Sequence, residues 1–163
     1  MYNSMTSDTE NARKDALSFL KHHKTGVLAT VAASGEPHAS MVFYTADDNF
    51  NIYILTLINS RKFAALEANP KVAFTVSMPH VPQTLQIEGI AMDITLDEEA
   101  KEKTPILLEV LNSNNWFYGP ISKLDPKDTV VVWIKPTWIR WADYAFQQNG
   151  SEHVLQEIPL AGN

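Results

Sequence analysis

The residues with the clearest chemical pattern are Asn59-Ser60-Arg61-Lys62, where a β-rich apolar run over residues 51–58 meets a helical pattern. Ser60 is typical of a helix N-cap, because its hydroxyl can accept a hydrogen bond from an unpaired amide of the first turn. Arg61 and Lys62 are unusual in that turn, since the positive end of the helix dipole disfavours cations. An anion between these cations and the free amides accounts for them, and phosphate is the commonest such anion. The alternative is a capped surface helix with solvated charges.

The composition describes one globular domain over residues 1–163 and excludes several classes of function. The chain has 45% hydrophobic and 20% charged residues and a net charge of -6, so it lacks the basic surface that non-specific nucleic-acid binding needs. It contains no cysteine, which excludes disulfides, thiolate metal sites and a cysteine nucleophile. No apolar run approaches the ~20 residues of a membrane span, and the polar residues 1–10 have no signal-peptide core. We therefore expect a cytoplasmic protein without a membrane partner.

Hydrophobic periodicity predicts a mainly β fold with peripheral α-helices. The predicted helices run from Asp8 or Thr9 to His23, from Arg61 to Glu67, from about residue 97, and over residues 106–111 with Thr104 as the cap. The predicted strands are 27–32, 38–45, 51–58, 71–77, 83–95 and 129–141. Residues 1–9 are expected to be flexible, and 142–163 to form a C-terminal tail. Hairpin-linked strands in this order predict a six-stranded antiparallel β-barrel, closed or split, with a β-sandwich as the alternative.

Four segments resemble the pyridoxamine 5'-phosphate oxidase-like flavoproteins in their order and spacing. The segments are Thr30-Val31-Ala32-Ala33-Ser34-Gly35-Glu36-Pro37-His38-Ala39-Ser40, Leu55-Thr56 followed by Asn59-Ser60-Arg61-Lys62, Leu66-Glu67-Ala68-Asn69-Pro70-Lys71-Val72-Ala73, and Leu85-Gln86-Ile87-Glu88-Gly89-Ile90-Ala91. The resemblance covers residues 12 to about 143, which is most of the chain.

The resemblance implies a split β-barrel of the FMN-binding type, which forms a homodimer and holds FMN at the subunit interface. Ser60, Arg61 and Lys62 would then hold the FMN phosphate, in agreement with the interpretation of the two cations. The second strand would run beside the isoalloxazine ring and offer it main-chain groups. The other implied cofactor-binding residues are Ser40, Met41 and Val42 on that strand, Thr56 and Leu57, Thr84 or Gln86 from the partner subunit, and Trp141 at the edge of the site. No metal site is expected, and no residue is singled out as catalytic.

The chain departs from the oxidase proper at three places. The oxidase usually carries basic residues where this chain has Ser40 and Thr45, and it ends in an Arg-Leu-containing substrate motif that residues 142–163 do not match. Oxidation of pyridoxamine phosphate itself is therefore not expected, whereas the barrel and the flavin site are.

Several residues outside these motifs have two interpretations. His38 could neighbour the flavin or donate a proton to it, but an exposed strand residue is the favoured interpretation. The aromatic end around Trp133 and Trp138 is expected to be core or dimer packing. Trp116-Phe117-Tyr118 could cover the pocket or pack against the partner, and the sequence favours neither.

Three hypotheses follow for the function. The first is an FMN-dependent oxidoreductase that acts on an unidentified small molecule, with NADH or NADPH as a candidate donor; the flavin would carry the redox chemistry. The second is a protein of the same fold that binds flavin, haem or a deazaflavin without turnover, in which His38 or His80 could be an axial ligand. The third is a dimeric scaffold that has lost its cofactor.

Overall fold

The computed structural model describes residues 2–78, 80–113, 126–145 and 154–160, and it consists mainly of β-strands. The strands are β1 Thr25–Val31, β2 Pro37–Ala46, β3 Ile52–Leu57, β4 Lys71–Met78, β5 Val81–Asp93, β6 Thr129–Asp143 and β7 Leu155–Glu157. The helices are α1 Tyr2–His22, α2 Arg61–Ala68 and α3 Glu98–Asn112, and a 3-10 turn over Pro126–Asp128 precedes β6.

The strands form an antiparallel barrel in the order β3-β2-β1-β4-β5-β6, which is closed by pairing of β3 with β6. The short strand β7 adds to the outside of β6. This architecture confirms the predicted six-stranded barrel, and the sandwich alternative is wrong because the sheet returns to its first strand.

The barrel interior is filled by one face of each strand, as the alternating pattern of the sequence predicts. In β1 the buried Leu28 alternates with the more exposed Val27 and Ala29, and in β4 the buried Phe74 does the same between its neighbours. Helix α1 packs on this core through Ala12, Ala16 and Leu20. The barrel core therefore depends on contacts between strands that are far apart in the sequence.

A second, smaller core lies between α3 and the outer face of β3 and β6. It is formed by Tyr53, Ile94, Ala100, Leu107 and Val131. The buried Tyr53 hydroxyl lies between the carboxylates of Asp47, at 3.2 Å, and Glu99. Burial and these two carboxylates raise the pKa of Tyr53 well above its ordinary value. Tyr53 thus connects the β2–β3 turn to the first turn of α3.

The structure corrects several boundaries of the predicted elements. Helix α1 begins at Tyr2 rather than at Asp8 or Thr9, so helix extends into the segment that was expected to be flexible. The two expected helical segments near 97–99 and 106–111 are one helix, α3. Thr104 is not a cap; its hydroxyl donates to the carbonyl of Ala100 at 2.7 Å. Pro105 is tolerated inside α3 because it lies on the exposed face, where water can replace the lost backbone hydrogen bond.

One further difference concerns the end of the chain. Strand β7 lies in the segment 142–163, where the sequence shows little periodicity, and its three residues are too few to show one.

Trp116, Phe117 and Tyr118 lie outside the described residues, so their two interpretations stay open. Within the described residues, no helix combines the length and apolar character needed to cross a membrane.

We expect Gly26→Ala to destabilise the protein by about 1–3 kcal/mol, because overpacking a dense core costs this much. A Cβ atom at position 26 would overlap the tip of the Phe74 ring inside the barrel. The free energy of unfolding in urea should fall for Gly26→Ala. The loss caused by Gly26→Ala should be smaller when position 74 carries Leu than when it carries Phe. Phe74→Leu alone is the matched control. Equal losses from Gly26→Ala in both backgrounds would contradict this packing.

Candidate functional site

The turn between β3 and α2 is held by side-chain hydroxyls. Ser60 has extended backbone angles and its hydroxyl accepts a hydrogen bond from the amide of Phe63 at 3.2 Å, which confirms it as the N-cap of α2. The buried Thr56 lies at the end of β3, and its hydroxyl is 3.1 Å from that of Ser60. The two hydroxyls therefore fix the direction in which the first turn of α2 leaves the barrel.

The first turn of α2 carries two cations and no acidic residue. Lys62 is half-buried, and within the described part of the chain it has neither a hydrogen bond nor an ion pair. Burial lowers the pKa of Lys62 below its ordinary 10.5. The exposed Arg61 also lacks an acidic partner there, and its guanidinium contacts the ring of His38 on β2. Free amides, the helix dipole and two uncompensated cations favour an anion at this turn.

Strand β2 is open on the side that faces this turn. It pairs with β1 from Pro37 to Phe43, but it pairs with β3 only from Tyr44 to Ala46. Among the described residues no strand pairs with the other edge of residues 37–42. The barrel is split at this point, and the contact of Arg61 with His38 places the start of α2 at the split.

The predicted site residues on β2 differ in exposure. Met41 is 51% exposed, Ser40 is half-buried, and Val42 is buried in the barrel core. Leu57 is half-buried at the end of β3. Thr56 and Ser60–Lys62 lie at the start of α2, and the contact of Arg61 with His38 brings this turn next to the open edge of β2; we call this junction the cleft. A planar ligand along β2 could accept main-chain hydrogen bonds while its anionic group lies at α2.

The remaining predicted residues lie on another part of the barrel. Gln86 accepts hydrogen bonds from Nε and Nη2 of Arg140 at 3.1 and 2.6 Å, and the Thr84 hydroxyl is 3.5 Å from that of Ser77. In the sheet, β1 and β4 separate β5 from β2, so Thr84 and Gln86 do not join the cleft within one protomer. Their assignment to a partner's site stays a prediction.

Trp141 is 3% exposed and packs in the core, with its ring 5.1 Å from that of Phe19. This burial leaves little of the ring to contact a ligand. The outward position beside Gln86 belongs to the preceding residue, Arg140, which the sequence analysis missed. The alternation of β6 is the signal that could have found it, because Ile139 and Trp141 face inward and Arg140 faces outward.

A split antiparallel barrel with an anion site at its opening is the arrangement of a flavin-binding class of proteins, and the comparisons agree. Residues 12–141 match the model of the pyridoxamine 5'-phosphate oxidase family. The chain belongs to this family.

Individual relatives share part of the sequence or the fold. A pyridoxine/pyridoxamine 5'-phosphate oxidase of Bordetella avium is 37% identical over 71 residues, which are 44% of this chain and 34% of the relative. The chain thus matches about a third of that protein's length. The structure of a candidate pyridoxamine 5'-phosphate oxidase of Listeria innocua is 26% identical in sequence and superposes with a TM-score of 0.62. The superposition includes 79% of this chain and 96% of the Listeria chain. An FMN-binding, pyridoxamine 5'-phosphate oxidase-related protein of Nostoc punctiforme shares the fold at 13% identity, with coverage of 90% and 86% and a TM-score of 0.59.

We expect Lys62→Met to stabilise the ligand-free protein by about 0.5–2 kcal/mol near pH 7, as removal of an unfavourable charge commonly does. Burial lowers the folded-state pKa of Lys62, so the charged amine costs stability below that pKa. This cost decreases as the pH rises above the pKa of Lys62 in the folded state, and it is gone above the pKa in the unfolded state. The advantage of the variant should therefore fade towards pH 10.5. Urea midpoints at several pH values measure this. Lys135→Met, at an exposed position of β6, is the control; an equal gain there would contradict a specific cost at Lys62.

Proposed function

We propose that the protein is a cytoplasmic FMN-dependent oxidoreductase that acts as a homodimer on a small molecule other than pyridoxamine phosphate, with NADH or NADPH as the candidate electron donor. The observation that carries the proposal is the pair of cations at the start of α2, which no acidic side chain of the described residues neutralises. A half-buried lysine without a counter-ion is unfavourable in the free protein, and a phosphate dianion would offset that cost.

The roles of the residues follow from their positions. Ser60 shapes the turn, and Arg61 and Lys62 bind the phosphate group together with the free amides of α2. The open edge of β2 at Ser40–Val42 offers main-chain donors and acceptors to the isoalloxazine ring. Bound FMN supplies the centre that accepts or gives hydride, and the chain supplies orientation and the exclusion of water.

The residues around the open edge argue against pyridoxamine phosphate as the substrate. Ser40 and Thr45 are uncharged, and Thr45 is 8% exposed, so neither offers a cation to a second phosphate group. Recognition of a phosphorylated substrate normally uses such cations. A less anionic or larger substrate therefore fits better.

The outer face of the barrel supports the dimer. Small or apolar residues follow one another across β2, β1 and β4 in the rows Ala39–Ala29–Ala73 and Met41–Val27–Thr75. Val27 is 40% exposed and Met41 is 51% exposed. The row that contains them continues across the sheet to Gln86 and Arg140. Burial of this apolar surface against a second copy would stabilise a dimer and would bring Gln86 to the open edge of the partner's β2.

An FMN titration followed by flavin fluorescence tests the phosphate site. We expect saturable binding by the native protein and a Kd at least about 100-fold weaker for the double variant Arg61→Ala/Lys62→Ala, since each charge-assisted hydrogen bond contributes about 1.5–3 kcal/mol. Riboflavin, which lacks the phosphate, should bind both proteins alike, and Lys135→Ala should not differ from native. No binding of FMN by the native protein would overturn the proposal; binding without oxidation of NADH or NADPH in the presence of an acceptor would favour a carrier or storage protein.

Exchange of subunits tests whether the site lies at a dimer interface. We expect Arg61→Ala/Lys62→Ala and Gln86→Ala/Arg140→Ala each to bind FMN weakly alone. When the two are unfolded and refolded together, random pairing makes half of the dimers mixed, and each mixed dimer has one site built from two native halves. About a quarter of the native number of tight sites should therefore return. A monomer in sedimentation, or no recovery on mixing, would contradict an interfacial site.

A further inference from the structure

The contact between Arg61 and His38 has a specific geometry. Nη2 of Arg61 is 3.3 Å from Nδ1 and 3.2 Å from Nε2 of the same imidazole ring. The two ring nitrogens point in diverging directions, so one atom cannot lie in the ring plane in hydrogen-bonding position to both. An in-plane position equally far from both would overlap Cε1 between them. Nη2 therefore lies over the face of the ring and directs its N–H groups at the imidazole.

Within the described residues the contact uses only Nη2 of Arg61, so the N–H groups on Nε and Nη1 are available to a ligand. A carboxylate partner would occupy those groups, but Arg61 has none among the described residues. The backbone of His38 is paired on one side, opposite Thr30 of β1. The ring thus lies on a strand of the barrel and contacts a side chain that is otherwise exposed.

We propose that His38 is a positioning residue of the anion site: its imidazole holds the Arg61 guanidinium in place for the phosphate. The inference rests on the proposed function, in which Arg61 binds the phosphate of FMN. An arginine loses about 2 kcal/mol of rotamer entropy when it is immobilised, and part of that cost is already met in the free protein by the contact with His38. The phosphate then meets an arginine that is ordered before binding.

The test compares FMN and riboflavin affinities of native protein, His38→Ala and His38→Phe, each with Arg61 and with Arg61→Ala. We expect His38→Ala to weaken FMN binding about two- to tenfold, since ordering one side chain costs about 0.5–1.5 kcal/mol. Riboflavin affinity should not change, and His38→Phe, which keeps an aromatic ring face against Arg61, should retain most of the FMN affinity. In the Arg61→Ala background, His38→Ala should have no further effect. Thermal melting of each variant verifies that it is folded.

An equal loss of FMN affinity from His38→Ala with and without Arg61 would overturn the positioning role. If Arg61→Ala has no effect on FMN binding, the proposed phosphate site itself is wrong, and the inference about His38 falls with it.

Discussion

The feature on which the rest of the structure depends is the incomplete pairing between β2 and β3. Three residue pairs join these strands near Tyr44, whereas β3 pairs with β6 over six residues. The β3–β6 pairing closes the barrel, and it holds β3 away from the first half of β2. Because buried main-chain groups must find partners, an open strand edge next to a cavity is a natural place for a polar, planar ligand. The split is therefore a consequence of the way in which the barrel closes.

The start of α2 places positive charge at this split. Helix α2 leaves β3 through the turn held by Thr56 and Ser60, and Arg61 of its first turn contacts His38 on the open part of β2. Cations at that end of a helix, one of them half-buried, disfavour the ligand-free state. Such a local cost is common at binding sites, where the ligand supplies the missing interaction. The barrel core and the α3 layer, with the Tyr53 network, provide the stability against which this cost is set.

In the proposed dimer, the two faces of the barrel would contribute to the candidate site from different protomers. The cleft at α2 and the pair formed by Gln86 and Arg140 lie on different parts of one chain, with β1 and β4 between them. The apolar rows on the outer face connect these two parts, since they run across the same strands. A second copy placed on this face would let each protomer complete the site of the other.

Local patterns in the sequence determined the element types, the barrel class and the cap at Ser60, because alternation, turn residues and capping act over a few neighbouring residues. They also singled out Arg61 and Lys62, since the conflict between these charges and the helix dipole is local. Only the tertiary structure decided that α3 is one helix, because Pro105 is tolerated by its exposure, and that the short β7 pairs with β6. The same holds for the inward direction of Trp141 and the outward direction of Arg140, which depend on the register of β6 against β5. The contact of Arg61 with His38 joins residues 23 positions apart, and such long-range contacts leave no periodic signal in the sequence.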